Sequence, residues 1–363
     1  MSDTTSKVVR IGRCWKLVAA WALLCEVGAA GLLAEDSTIY RNTLTPIAKP
    51  SPILADYPEF VAPVTERARF LAPCLVSDRD ASLAVRAWRW SYNARGIVEM
   101  ENLLDARQTA VVVVHPWGID DARGWRTPEP AGAAFFCTPE KNRLVFRHAA
   151  TVVNPFLKRL RASVRTIAYS LPGVEDAIRR KLYRSTTHTP DKAERAQGAK
   201  ELAKALGEFA YKGGAVPREF PLSAQKPVAD YFTRFPGLDA SDTFNGKGFW
   251  QLPIPVMKAI EVCPDDVVFY DGEGYDRVRE FLKAQGVRHV LLAGCALDMC
   301  VKATTCGYEN LCKDFSVFIV ADATLATFPA AATPAHATQA AVCAAALNHL
   351  ITQVSWIRPR PAK

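Results

Sequence analysis

The chain has 363 residues, 49% of them hydrophobic and 23% charged, a balance that excludes wholesale disorder and allows one large core or two modest ones. Its formal net charge of +8 is spread over predicted helices rather than gathered in a block. With no zinc-finger, RNA-motif or basic-arm signature beside it, nucleic acid is not an expected partner.

The first residues run positive, apolar, small. Lys7, Arg10, Arg13 and Lys16 precede the apolar run Leu17 to Cys25, and small residues follow to Ala34 before Glu35-Asp36. That is the order of an export signal. Glu26 interrupts the apolar run, so the roughly twenty uninterrupted residues of a span are not there and no stable membrane span is expected. We read 1–34 as a signal peptide cleaved after Ala34, which makes the protein exported (periplasmic or secreted); a retained N-terminal anchor is the alternative. Its loss removes four cations and two anions and leaves a charge of about +6. Eight of the ten cysteines remain, and sequence alone does not pair them.

Residues 35–106 read as an N-terminal extension. A Pro-rich leader (TPIAKPSPILADYPEF) predicts a surface-running segment with no core of its own. Next, Trp88, Trp90 and Tyr92 recur at period two, Asn93 to Gly96 predicts a turn, and Ile97 to Met100 a second strand, together a hairpin. The aromatic stripe suits a packing face better than a carbohydrate grip.

From residue 109 continuous β-branched runs alternate with helical stretches, the pattern of strands buried on both faces of a parallel sheet. Strands are predicted at Ala110 to His115, Val164 to Ser170, Val267 to Tyr270, Val287 to Ala293 and Ser316 to Ala321. Helices are predicted at Ala149 to Ala162, Gly274 to Ala284, Met299 to Leu311 and Pro334 to Val354. The fold class is therefore α/β, a doubly wound, mostly parallel sheet flanked by helices. An insertion over about 173–262 interrupts it. It holds a helix, Asp191 to Lys212, with Ala193, Ala196, Ala199, Ala203, Leu206 and Ala210 on one face, read as capping the active edge or making a subunit contact.

Four cysteines then fall within eighteen residues, GCALDMCVKATTCGYENLC (Cys295, Cys300, Cys306, Cys312). Structural zinc ligands come as closely spaced pairs, and no C-x2-C pair exists here. On one helical rod, six residues rotate a side chain by about 240°, so consecutive cysteines point apart. No metal is expected. Cys300 follows the strand HVLLAG and a short turn, at the carboxyl edge of the sheet where ligands of open α/β sheets gather. Unpaired N–H groups at a helix start there favour a thiolate and a developing oxyanion. An inert, packed cysteine is the competing reading.

The run Val287 to Thr324 resembles the nucleophile region of the isochorismatase-like cysteine hydrolases: strand, Gly, short turn, Cys-Val, a helix with small residues, then a strand ending in Asp. TAVVVVH is similar to that family's first strand, DDVVFYDGEGYDRVREFLKAQGV to its third strand and helix, and TQAAVCAAALNHLITQVSW to its last helix, so the resemblance covers a domain over about 107–356 without the insertion, followed by a tail at 357–363. It implies Cys300 as nucleophile, oxyanion donors at the N–H groups of Ala296 and Cys300, a cis peptide between Cys295 and Ala296, and a homo-oligomer. The departures are specific. His115 stands where the family places an Asp base, Tyr270 where it places a Lys, and Leu297 where a Thr is common. The Asp-His metal motif of the nicotinamidase branch has no counterpart near Ser170 to Asp176.

Two readings follow. In the first, His115 and Cys300 form a thiolate–imidazolium pair, oriented by Tyr270 or Asp271, that cleaves a C–N bond of a small amide; imidazole can take the thiol proton and return it to the leaving amine. Trp117, Asp120 and Asp121 are the pocket candidates. In the second, the fold is catalytically silent and serves as an exported binding or scaffold protein. His148, His188, His289, His336 and His349 are read as solvated or core residues. Neither a G-x-S-x-G elbow nor a G-x-G-x-x-G or P-loop motif occurs, so no cofactor is expected.

Overall fold

The computed structural model describes residues 39–91, 95–118, 139–208, 219, 221–234, 252–326 and 349–361. Residues 1–34, where a signal peptide is expected, Tyr92, Asp120, Asp121, His336 and much of the insertion lie outside them. The description below concerns the unit Thr43–Lys363. Among the described residues no helix is long and apolar enough to cross a membrane.

Ten strands form one sheet. In chain order they are β1 (Thr45–Pro46), β2 (Arg69–Ala72), β3 (Leu83–Ser91), β4 (Gly96–Leu104), β5 (Thr109–Val114), β6 (Thr166–Leu171), β7 (Val267–Tyr270), β8 (His289–Cys295), β9 (Ser316–Leu325) and β10 (Leu350–Pro359). Their spatial order is β1-β2-β4-β3-β10-β9-β8-β5-β6-β7. From β10 to β7 every pair is parallel. Every residue of β5, β7 and β8 is buried, which is why these segments are unbroken apolar runs rather than alternating ones. The five predicted strands are these and their neighbours β6 and β9.

The hairpin is present as β3 and β4 in antiparallel register, Trp88 opposite Glu99. It is part of the main sheet rather than an appendage, because β10 pairs antiparallel with β3 and parallel with β9. Trp88 is fully buried, a packing residue. The leader is less superficial than its composition predicts: Ile53, Leu54, Phe60 and Val61 are buried in the core cluster shared with the central strands.

Several predicted helices change. Residues 350–354 of the predicted terminal helix form β10, and its residues 334–348 lie outside the described residues. The helix before β6 starts earlier, at Pro139–His148, continues through a π-helical segment Ala149–Val153 and ends with Asn154–Leu160. The rod from Met299 to Leu311 is two single turns, Cys300–Ala303 and Tyr308–Leu311. Gly307 sits between them with so little room that a Cβ would lie 2.6 Å from the Thr304 nitrogen. The insertion helix spans Lys192–Glu208, but Ala193, Ala196, Ala199 and Ala203 face solvent. Gly198 is its buried residue, where a Cβ would meet Lys181 and Leu182 of the helix Ala177–Leu182.

Candidate functional site

The carboxyl ends of β5, β7 and β8 meet at one edge. β5 delivers His115, whose φ of 48° lies in the left-handed region rarely used by non-glycine residues and turns it out of the strand direction. Its N–H is fixed by the Ser170 carbonyl at the end of β6, 3.0 Å away. β8 approaches β5 closely because position 294 is glycine: with φ at +119°, a Cβ there would lie 2.0 Å from the Val114 oxygen. Any side chain would push the Cys295–Cys300 turn away from His115.

The His115 ring joins two elements. Its Nε2 lies 2.7 Å from Asp271 Oδ2, and the ring also hydrogen-bonds Cys300. With Nε2 taken by Asp271, Nδ1 is the nitrogen left for the thiol. Burial favours the neutral ring, but the hydrogen bonds to Asp271 and Cys300 and the charges behind them outweigh it, and the His115 pKa is raised to about 9. Cys300 is half-buried.

Of the two candidate orienting residues, Asp271 is the one that reaches the His115 ring. Successive side chains at a strand end point to opposite faces. Tyr270 turns beneath the Arg179 guanidinium, 4.7 Å from its ring centre. Its hydroxyl is buried with no partner among the described residues, and burial, opposed by Arg179, raises its pKa.

Sequence reasoning missed what holds Asp271. Ser170, fully buried, donates from Oγ to Asp271 Oδ1 at 3.0 Å, and the Thr305 hydroxyl donates to the Asp271 carbonyl at 2.8 Å. The Cys306 thiol hydrogen-bonds Ser170 in turn. Burial pushes the Cys306 pKa up, against the lowering influence of Ser170. The run is Cys306, Ser170, Asp271, His115, Cys300. Its one sequence signal was a serine near the end of the otherwise apolar β6.

Opposite His115, a cis peptide joins Cys295 and Ala296. The Ala296 carbonyl accepts the N–H groups of Met299 and Val301, while the N–H groups of Ala296 and Cys300 have no backbone partner among the described residues. The single turn Cys300–Ala303 carries little of the macrodipole that a long helix would supply. Any oxyanion stabilisation therefore rests on these two N–H groups themselves.

Trp117 is buried beside the edge and bridges to Val256. Cys74, Cys263, Cys295, Cys300, Cys306 and Cys312 are free thiols. Among the described residues no three His, Cys, Asp or Glu side chains form a metal cluster. His289 lies at the far end of β8, bonded to Asp78 at 2.9 Å; His148 is in the core and His188 faces Glu194.

Residues 184–352, which contain β7 to β9, Asp271 and Cys300 but not His115, match a family model described as Isochorismatase domain. Among solved structures, the chain is similar to a cysteine hydrolase from Pseudomonas syringae pv. phaseolicola 1448A, at 14% identity over 69% of this chain and 91% of the other, with a TM-score of 0.36. An isochorismatase family protein from Desulfovibrio vulgaris aligns at 13% identity over 69% and 95%, with a TM-score of 0.34. A nicotinamidase/pyrazinamidase from Bacillus subtilis aligns at 10% identity over 68% and 100%, with a TM-score of 0.30. No curated protein sequence matches the chain. Residues 184–352 of this α/β chain, whose sheet is parallel from β10 to β7, are thus similar to the isochorismatase domain, while His115 lies outside the matched residues.

Proposed function

We propose that the protein is a cysteine hydrolase that cleaves a C–N bond of a small amide. The observation that carries this is the His115 ring, hydrogen-bonded on one side to Asp271 and on the other to a half-buried Cys300. Nucleophile, base and orienting carboxylate in that order are the arrangement a thiol needs for acyl transfer.

In this reading the Cys300 thiol passes its proton to the His115 ring, whose charged form Asp271 supports. The Cys300 sulfur forms a bond to the amide carbon, and the carbonyl π pair moves to oxygen, where the Ala296 and Cys300 N–H groups receive it. Collapse of the adduct breaks the C–N bond, and His115 protonates the departing amine. A water then adds to the thioester while His115 takes its proton. The carboxylic acid leaves and the proton is again shared by His115 and Cys300. Asp271, fixed by Ser170 and Thr305, keeps the ring oriented throughout and stabilises its charged form whenever it carries the proton.

The test is turnover of a panel of small amides, with intact-mass detection of an acyl adduct. Amine release and an adduct in the native protein, both lost in Cys300→Ala, are expected. No turnover, together with iodoacetamide labelling of Cys300 that stays slow until denaturation, would favour the silent-fold reading instead.

A further inference from the structure

β10 lies between the hairpin and the parallel strands, with Arg358 opposite Ala84 and Ile357 opposite Val85. Side chains alternate along a strand, so Trp356, Arg358 and Arg360 form one row. On the neighbouring strand Ala84 and Arg86 share the same face. Across the hairpin, Arg86 faces Glu101 and Ala84 faces Leu103. The small Ala84 side chain, set among large ones, leaves a cleft of about 340 Å³ whose lining includes Arg86, Glu101, Leu103, Trp356, Arg358 and Arg360.

The arginines of this cleft are not loose. The Arg86 guanidinium lies 4.6 Å from the centre of the Trp356 ring and pairs with Glu99, fully buried beneath it, which also binds Arg69. Arg358, exposed, donates from Nε to the Ser355 carbonyl at 2.8 Å. The backbone of Arg360 is anchored by its N–H to the Ser82 carbonyl at 2.6 Å. Among the described residues neither Arg358 nor Arg360 has a carboxylate within salt-bridge reach, and neither does Glu101 have a cation. Three guanidiniums therefore line a concavity with one carboxylate between them, and Glu99 below is already shared by two arginines.

We propose that this cleft is a binding site for a small ligand bearing a doubly charged oxyanion group, a phosphate monoester or a dicarboxylate. The planar guanidinium fork matches either group with paired N–H donors. Preset Arg86 and backbone-anchored Arg360 lower the ordering cost of binding. The cleft is separate from the Cys300 edge, with β9 lying between β10 and β8 in the sheet.

The full-length protein is titrated by calorimetry with inorganic phosphate, pyrophosphate and succinate at constant ionic strength, which separates phosphoryl from dicarboxylate preference. Saturable binding of at least one probe is expected, weakened about tenfold or more in Arg358→Gln/Arg360→Gln. Ala84→Leu should weaken it as much, because it keeps every charge but fills the floor. Absence of saturable binding overturns the proposal. So does wild-type affinity in Ala84→Leu, which would mean diffuse attraction to a basic surface. If Ala84→Leu fails to give the wild-type circular dichroism spectrum, the double arginine variant decides alone, since both side chains are exposed and unchanged affinity there also overturns it.

Discussion

Two histidines in this chain each hydrogen-bond an aspartate, and they titrate at opposite ends of the range. His115, at the sheet edge, has a pKa raised to about 9; His148, in the core, is pushed down to about 4. Burial disfavours the charged ring in both, so burial does not explain the difference. His115 meets a carboxylate oxygen of Asp271 and the Cys300 thiol. His148 meets only the backbone carbonyl of Asp322, at 2.8 Å. A carbonyl offers a dipole where a carboxylate offers a full charge. The carboxyl of Asp322 is itself committed to the Val354 N–H and is raised to about 7, chiefly by burial. His289 adds a further lesson. It has a carboxylate, Asp78, at 2.9 Å, yet its pKa is lowered, first by burial and then by Arg288, against the pull of Asp78. Asp78 also accepts from Arg288 and the Asp105 N–H. At His289 burial outweighs a single carboxylate, whereas at His115 the Cys300 thiol adds to Asp271 and the balance reverses.

The strongest way to break this comparison is to remove the edge histidine. His115→Ala should lower amide turnover by about 10²–10⁴-fold and slow iodoacetamide labelling of Cys300 about tenfold at neutral pH. Unchanged labelling would show that His115 does not govern the thiol. A smaller change sharpens the same point. Asp271→Asn keeps the shape but removes the charge, so the His115 pKa should fall. The alkaline limb of the labelling or rate profile, expected near pH 9 in the wild type, should move to lower pH, with turnover down about 100-fold. An unmoved limb would assign it to another group.

Much of this edge was legible from the sequence because its strands are buried on both faces. Runs such as TAVVVV and HVLLAGC have no other soluble fate, and their ends fix where His115 and Cys300 must emerge. The choice between Tyr270 and Asp271 was not legible. Adjacent residues at a strand end point apart, and only the position of Arg179, from the segment before the insertion helix, shows that Tyr270 is the one turned away. Ser170 was hidden for a related reason, since its partner Asp271 lies 101 residues away. β10 was misread because the alanines of 338–346 carry a helical signal into LITQVSWI, whose β-branched residues pair with β3 and β9, strands distant in sequence. The Met299–Leu311 rod fails at Gly307, where the chain closes on the Thr304 backbone.

The core histidine gives the complementary test. His148→Phe preserves an aromatic ring against Phe60, which now packs edge-on to His148 at 5.0 Å between ring centres, but leaves the Asp322 carbonyl without its donor. We expect a loss of about 1–3 kcal/mol in denaturant unfolding, with Cys300 labelling unchanged. A change in labelling would mean that the core and the edge are coupled and that the two histidines are not independent cases.

The subtlest effect lies in how stability depends on pH. A group whose pKa is raised on folding binds its proton more tightly in the folded state, and its contribution is lost as pH rises through the folded value. Asp322, raised from 3.8 to about 7, therefore lowers stability between about pH 4 and 7. His115 does the same between about pH 6.5 and 9. His148, lowered from 6.5 to about 4, acts in the opposite direction, so stability falls as pH drops from 6.5 toward 4. Between pH 4 and 6.5 the Asp322 and His148 effects offset each other. In Asp322→Asn the amide oxygen can still accept the Val354 N–H, but nothing offsets His148. Stability from urea unfolding should then climb between pH 4.5 and 6.5, on the order of 2 kcal/mol more steeply than in the wild type. The His115 decline above pH 7 should be the same in both proteins. Parallel curves below pH 6.5 would mean that Asp322 is ionised in the folded protein throughout, and that the contrast between edge and core lies in the histidines alone.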